Sequence, residues 1–276
     1  MVSSFTHGPT TLAYRIYGNG PLPVLAFHGF GRTGADFHVF EEALGEYFTI
    51  HAFDLPFHGD SPSPSERAER PFTPLELRDH FRAFADHLGT QQVTLMGYSL
   101  GGRVALSLLE TMPERIEGAV LLAPDGLHPR PWYRRLAYSA WGRARYRRFI
   151  EHPERVHFII NTLHKLGLLR DKMHRFIIGQ TDSISKRRLL HDVWLSFRLI
   201  EVDLHALAQR LQAQGPRVHL VFGTYDSVIK PALGRPLQRR APASVHVHQM
   251  PLGHQLLTPE VALRVRELLL KDAVRP

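Results

Sequence analysis

The stretch Val93-Thr94-Leu95-Met96-Gly97-Tyr98-Ser99-Leu100-Gly101-Gly102-Arg103-Val104-Ala105-Leu106 constrains the fold of this chain more than any other. Its first residues read as a buried apolar strand, Gly97 to Gly101 as a tight turn, and the remainder as the start of an apolar-periodic helix. Residues two before and two after the serine of such a turn must be nearly free of side chain, because a Cβ there would strike the adjoining strand or helix. Gly97 and Gly101 meet that requirement, and Gly102 allows close helix packing. Ser99 would then project from the tip, at the positive end of a helix dipole, with the Leu100 amide available to a developing oxyanion. The bland alternative is an idle serine in a glycine-rich loop.

Short apolar runs alternate with helical patterns on both sides of this stretch. Residues 10–17 read as an early antiparallel strand closed by Gly18-Asn19-Gly20-Pro21. Val24 to Phe27, Phe48 to Phe53, Val93 to Tyr98, Ala119 to Ala123, Val218 to Gly223 and Val245 to Met250 read as strands. Helices are expected near Asp36–Leu44, from Thr73 to Leu88, after Ser99, around Pro231–Arg240 and over Pro259–Lys271. Strands alternating with helices imply a mostly parallel α/β sheet with helices on both faces. Between residues 128 and 215 the rhythm changes. No strand pattern is present there, and helices are expected over Tyr133–Ile150, Pro153–Leu166, Asp171–Gly179, Lys186–Ile200 and Val202–Gln214. The expected organisation is a core of residues 1–127 and 216–276, with an all-helical insertion over 128–215.

A serine is a weak nucleophile unless a base lies within reach, oriented in turn by a carboxylate. Asp226 follows the strand ending at Phe222-Gly223, and His254 follows the next one, so Ser99, Asp226 and His254 occur at three strand ends in that order. Asp125, after another strand, is a rival for the acid. His28 and His58 read as loop-structural, and Asp54 as a loop organiser that accepts backbone hydrogen bonds.

The segments His28-Gly29-Phe30, Asp54-Leu55-Pro56-Phe57-His58-Gly59-Asp60-Ser61, Gly97-Tyr98-Ser99-Leu100-Gly101-Gly102, Gly223-Thr224-Tyr225-Asp226 and Gly253-His254 carry a resemblance. In this order they resemble the α/β-hydrolase superfamily, in its serine-nucleophile branch with a helical cap, over nearly all of the chain except the insertion. The resemblance implies Ser99 as nucleophile, His254 as general base and then acid, and Asp226 as the orienting carboxylate. It places the oxyanion hole at the amides of Phe30 and Leu100. It also implies a hydrolase of carboxylic esters acting on an acyl or lipid-like substrate. Serine at the elbow speaks against the carboxylate-nucleophile chemistry of haloalkane dehalogenases and epoxide hydrolases. Phe57 departs from the pattern, since relatives usually carry glycine there.

A local likeness of Gly97 to Ala105, together with His28-Gly29-Phe30, is to 2-succinyl-6-hydroxy-2,4-cyclohexadiene-1-carboxylate synthases. It implies an alternative, pyruvate elimination by a C–C lyase in which Arg103 binds a substrate carboxylate. Tyr98 and Arg103 are accordingly candidate substrate contacts. A catalytically idle binding protein of the same fold is the third reading, and it has no need of all three triad residues.

Composition narrows partners rather than chemistry. With 276 residues, 43% hydrophobic, the chain can bury a substantial core. It has no cysteine, which excludes disulfides and thiolate catalysis. The N-terminus lacks a basic start followed by an apolar run, and no stretch nears the length of a bilayer span, so a cytoplasmic protein is expected. No cofactor is expected, because nothing resembles a phosphate-cradling loop or a dinucleotide fingerprint. No metal is expected either: His246 and His248 share a strand face without an evident third ligand. The net charge is +8, but residues 128–215 carry 17 Lys/Arg against 7 Asp/Glu. That basic insertion suggests a solvated cationic face, an anionic small-molecule substrate, or peripheral contact with an anionic membrane. Nucleic acid is not expected, since no binding motif accompanies the charge.

Overall fold

The computed structural model describes residues 1–128 and 131–273, and within them omits the side chains of Pro131, Trp132, Tyr133, Lys172, Gln214 and Ala273. The chain divides into two compact units, one of residues 1–63, 73–128 and 200–276, the other of residues 64–72 and 129–199.

The larger unit is built on an eight-stranded sheet: β1 (Val2–His7), β2 (Thr10–Tyr17), β3 (Leu22–Phe27), β4 (Phe48–Phe53), β5 (Val93–Tyr98), β6 (Ile116–Leu122), β7 (Arg217–Gly223) and β8 (Val245–Met250). The spatial order is β1-β2-β4-β3-β5-β6-β7-β8. The β1–β2 and β2–β4 pairs are antiparallel, and every other pair is parallel. The central strands are mostly apolar because helices cover both faces, and all six residues of β5 are buried. The strand β1 has no counterpart in the sequence expectation. It is an edge strand with a mostly exposed, polar pattern, so hydrophobic periodicity gives no signal for it.

The expected helix near residue 36 is a 3₁₀ segment (Gly34–Phe40) capped by Thr33, followed by one α turn, α1 (Glu41–Leu44). The next helix, α2 (Pro74–His87), starts at an N-cap Thr73 whose hydroxyl accepts from the Glu76 amide. It buries Leu77, Phe81, Phe84 and Ala85 along one face, as its 3.6-residue spacing requires. Immediately after Ser99, α3 (Leu100–Thr111) begins.

The smaller unit is helical: α4 (Pro131–Tyr138), α5 (Ala140–Glu151), α6 (Glu154–Lys165), α7 (Asp171–Gly179) and α8 (Ile184–Ser196). Where a single helix is expected over Tyr133–Ile150, the chain breaks at Ser139, whose side chain turns back to cap the Gly142 amide. Residues 64–72 belong here. Phe72 packs its ring at a tilt of 42° on Phe197 with centroids 5.4 Å apart, and its amide donates to the Ser196 carbonyl. The Arg198 guanidinium donates to the carbonyls of Ala68 and Glu69.

Helix α9 (Leu204–Gln214), by contrast, groups with the larger unit, which also contains α10 (Arg235–Arg240) and α11 (Pro259–Ala273). Leu207 and Leu211 of α9 are fully buried, and the helix contacts α3 and α10. The basic unit therefore ends at Leu199 rather than at residue 215, and it gains residues 64–72. Drawn this way, it holds 18 Lys/Arg and 7 Asp/Glu, a net charge of +11, while the rest of the chain nets −3. Among the described residues, no helix is long and apolar enough to cross a membrane.

Candidate active site

The turn between β5 and α3 has the geometry its glycines imply. Ser99 sits at φ 51°, ψ −111°, a conformation that L side chains rarely adopt. Its amide donates to the Leu122 carbonyl at 3.0 Å, and its carbonyl accepts from the amides of Gly102 and Asp125, each at 2.9 Å. A Cβ on Gly101 would lie 1.9 Å from the Phe27 carbonyl oxygen, and one on Gly97 would lie 2.7 Å from that of Gly101. Neighbouring backbone thus occupies the space on both sides of the serine, which explains the residue type at both positions.

The two partners expected from later strand ends meet Ser99 here. His254 Nε2 lies 3.2 Å from Ser99 Oγ, and His254 Nδ1 lies 2.7 Å from Asp226 Oδ2. The consistent assignment has Nδ1–H donating to the carboxylate and Nε2 accepting from the hydroxyl. The second oxygen of Asp226 accepts from the amides of Val228 (2.7 Å) and Ile229 (2.9 Å), so both oxygens of the buried carboxylate are engaged. Nothing in the sequence announces those amides, because they come from a local turn.

Asp125, the rival acid, is engaged elsewhere: it pairs with the Arg103 guanidinium and takes the Gly126 amide at 2.9 Å. The two suggested substrate contacts are engaged too. Arg103 is that partner of Asp125, which comes from the loop after β6 rather than from its own helix. Tyr98 is only 4% exposed, and its hydroxyl donates to the His254 carbonyl at 3.0 Å. Burial pushes the Tyr98 phenol up to about 12, so it remains a donor. The sequence motif marks Tyr98 only as the residue before the serine and gives no hint of this brace.

The loop carrying Phe30 runs beside the serine, since a Cβ on Gly29 would meet the Tyr98 ring at 2.9 Å and Ser99 Cβ at 3.3 Å. Two histidines fix that loop. His28 donates from Nδ1 to the Gly29 carbonyl (2.7 Å) and accepts the Leu55 amide at Nε2 (2.9 Å). His58 donates from Nδ1 to the Pro56 carbonyl and accepts the Gly31 amide at Nε2, both at 3.0 Å. Acceptance at Nε2 requires neutral rings, and complete burial lowers His28 to about 3.

Asp54 ties the next loop. Burial opposes its charge, but the Asp60 amide, the Arg15 guanidinium and the Gly34 amide together hold its carboxyl below the usual range. Phe57 keeps the left-handed turn, at φ 70°, where the family usually has glycine. Beyond the histidine, Arg32 hydrogen-bonds the Gln255 side chain, a contact between the Phe30 loop and the His254 loop that no sequence spacing suggests.

His246 and His248 lie with His219 at the β7–β8 edge. His219 bonds His248 at 2.9 Å and Asp272 at 2.8 Å. Among the described residues, no group of three or more His, Cys, Asp or Glu is placed to hold a metal.

Comparison with known proteins gives the family of the fold. The chain is 31% identical over 106 residues to the abhydrolase domain-containing protein abhd-5.2 of Caenorhabditis elegans, a match covering 38% of this chain and 24% of that one. It is 33% identical over 110 residues to the pimeloyl-[acyl-carrier protein] methyl ester esterase of Salmonella newport, covering 40% of each. The matches therefore span well under half the length of these curated relatives. A thermophilic esterase from Thermogutta terrifontis shares the fold, with a TM-score of 0.68 over 99% of both chains at 22% identity. The family model of the alpha/beta hydrolase fold matches residues 23–254, from β3 through His254, and the chain belongs to that family.

Proposed function

We propose that this protein is a serine hydrolase of carboxylic esters. The observation that carries the reading is the relay Asp226–His254–Ser99, at 2.7 and 3.2 Å, with the serine on a strained turn. Ser99 Oγ attacks the ester carbonyl carbon while His254 Nε2 takes its proton, and Asp226 holds the imidazolium that forms. The negative charge that develops on the carbonyl oxygen is met by the Phe30 and Leu100 amides, each worth about 3 kcal/mol of barrier. Collapse breaks the C–O bond, and His254 returns its proton to the departing alcohol. Water activated by the same histidine then attacks the acyl-enzyme, releasing the acid and restoring Ser99.

A relative named for a methyl ester carried on an acyl-carrier protein supports an acyl ester as the substrate class. The lyase alternative depends on Arg103 binding a substrate carboxylate, and that guanidinium is paired with Asp125. An idle binding protein would have no use for the three assembled groups.

The test uses a fluorophosphonate probe and p-nitrophenyl esters of increasing acyl length. We expect stoichiometric labelling at Ser99, and turnover that falls about 10⁴-fold or more in Ser99→Ala. Absence of both labelling and turnover, or full turnover by Ser99→Ala, would overturn the reading. Pyruvate release from the lyase substrate without ester turnover would replace it.

A further inference from the structure

The helical unit carries a surface that is built the wrong way round for a domain in water. Helix α6 has none of its residues buried, although Val156, Ile159, Leu163 and Leu166 recur along it at helical spacing. These four side chains are 38%, 56%, 39% and 66% exposed. Its neighbour α7 packs against the opposite, polar side. His164 stacks on His174 with centroids 4.1 Å apart, His174 bonds Asn161 at 2.7 Å, and His164 bonds Asp171 at 2.8 Å. The hairpin is therefore zipped by polar groups and turns its apolar stripe outward.

The segment joining the two helices is Leu166-Gly167-Leu168-Leu169-Arg170, apolar up to its last residue where a surface turn is normally polar, and Leu168 is 73% exposed. Phe176 on α7 is also exposed.

Charge accompanies this hairpin. Residues 154–175 hold five Lys/Arg against two Asp/Glu. Just before α6, a basin of about 510 Å³ is lined by Arg147, Arg148, Arg188 and His152, with Ile150 and Glu151. An outward apolar stripe, an apolar turn and a cationic basin on one small unit match the chemistry of an anionic bilayer surface. A second copy would bring the same positive charge to the contact. An acidic soluble partner would account for the basin but not for exposed leucines at a turn.

We propose that the α6–α7 hairpin is an interfacial anchor for anionic lipid membranes. The 166–169 turn and the α6 stripe enter the boundary between headgroups and acyl chains, about 5–10 Å deep. The basin arginines take headgroup phosphates. The anchor lies on the surface rather than spanning it, in keeping with the absence of a spanning helix among the described residues. It does not depend on the ester-hydrolase reading, since it is measured as binding of the full chain and is expected unchanged in Ser99→Ala.

The experiment is flotation of the full chain with vesicles of phosphatidylcholine alone or with a third phosphatidylglycerol. We expect retention on the anionic vesicles only, weakening as salt rises. Leu163→Ser/Leu166→Ser/Leu168→Ser should lower the affinity at least about tenfold. Arg147→Gln/Arg148→Gln/Arg188→Gln should lower it roughly 100-fold. All six sites are exposed, so unchanged circular dichroism and an unchanged thermal unfolding midpoint will certify folding in both variants. The chain has no cysteine, so an environment-sensitive dye on Leu168→Cys reports from one place. A blue shift on anionic vesicles is expected.

Equal retention on neutral vesicles, or no dye shift, would overturn the proposal. So would a self-association abolished by the leucine triple variant without vesicle binding, which would assign the face to a second copy. Capture of an acidic carrier protein that is indifferent to the leucine variant, again without vesicle binding, would assign the charge to a protein partner.

Discussion

Ser99 holds a left-handed backbone conformation, which costs on the order of 1–3 kcal/mol and persists because neighbouring strands and helices over-determine it. The same over-determination extends to its partners, and single substitutions should separate their roles. Asp226→Asn removes the acceptor that fixes the His254 tautomer, so kcat should fall about 10⁴-fold. Asp125→Asn should leave kcat within about tenfold, because that carboxylate is bound to Arg103. Steady-state kinetics on one p-nitrophenyl ester checks both, and a larger loss in Asp125→Asn would exchange their assignments. Tyr98→Phe deletes only the hydroxyl that holds the His254 carbonyl. A neutral hydrogen bond of about 1 kcal/mol predicts a roughly fivefold drop in kcat with KM unchanged. A rise in KM alone would restore Tyr98 to substrate contact. At this scale the sequence picked out Ser99 and His254 and offered Asp226 with Asp125 as its rival, because each follows a strand end in a fixed order. It could not name what engages Tyr98 or Arg103, because those partners lie 156 and 22 residues away along the chain.

Among the elements, the β5–turn–α3 unit was the most legible and β1 the least, for one physical reason. Burial on both faces forces β5 to be largely apolar, whereas an exposed edge strand pairs through its backbone and leaves its side chains free to be polar. The turn is also where substitution should be least tolerated. Gly101→Ala places a Cβ 1.9 Å from the Phe27 carbonyl oxygen, so strand or helix must shift. We expect a loss of about 1–3 kcal/mol in urea unfolding, and a drop in turnover as Ser99 moves from His254. Gly179→Ala is the control, since a Cβ there meets nothing within 4 Å. Equal stability of the two variants would show that the elbow is looser than its contacts imply. The break at Ser139 and the placement of α9 were illegible for a different reason. Apolar periodicity reports that a face is covered, not by which neighbour.

For the molecule as a whole, buried histidines link stability to pH. Burial holds His28 at about 3 and lowers His51 and His80 to about 4 each, well below an unfolded histidine. Between pH 6.5 and about 4 the unfolded chain therefore binds protons that the native state refuses. Stability should be complete above pH 6.5 and fall as the solution is acidified, by about 1.4 kcal/mol per pH unit for each such group. Urea midpoints from pH 7 to 4.5 measure this, and because burial likewise lowers His248 to about 4, His80→Leu should flatten the slope by at most about a quarter. A midpoint independent of pH over that range would contradict the burial of these rings.

The charge map is likewise a property of the whole. The positive excess was visible in the sequence, but its limits were not, because the 64–72 segment joins the helical unit through Phe72 and Arg198 while α9 leaves it.

The sequence by itself determined the tight turn that holds Ser99, the chain order of Ser99, Asp226 and His254 at strand ends, and the family. These follow from local steric rules and from periodicity, which act over a few residues at a time. Only the tertiary structure decided that Asp226 rather than Asp125 faces His254, that Tyr98 and Arg103 are braces, and that the apolar face of α6 is left uncovered. Each of these is a contact, made or missing, between residues far apart along the chain or between whole helices, and closure of the fold alone selects among such contacts.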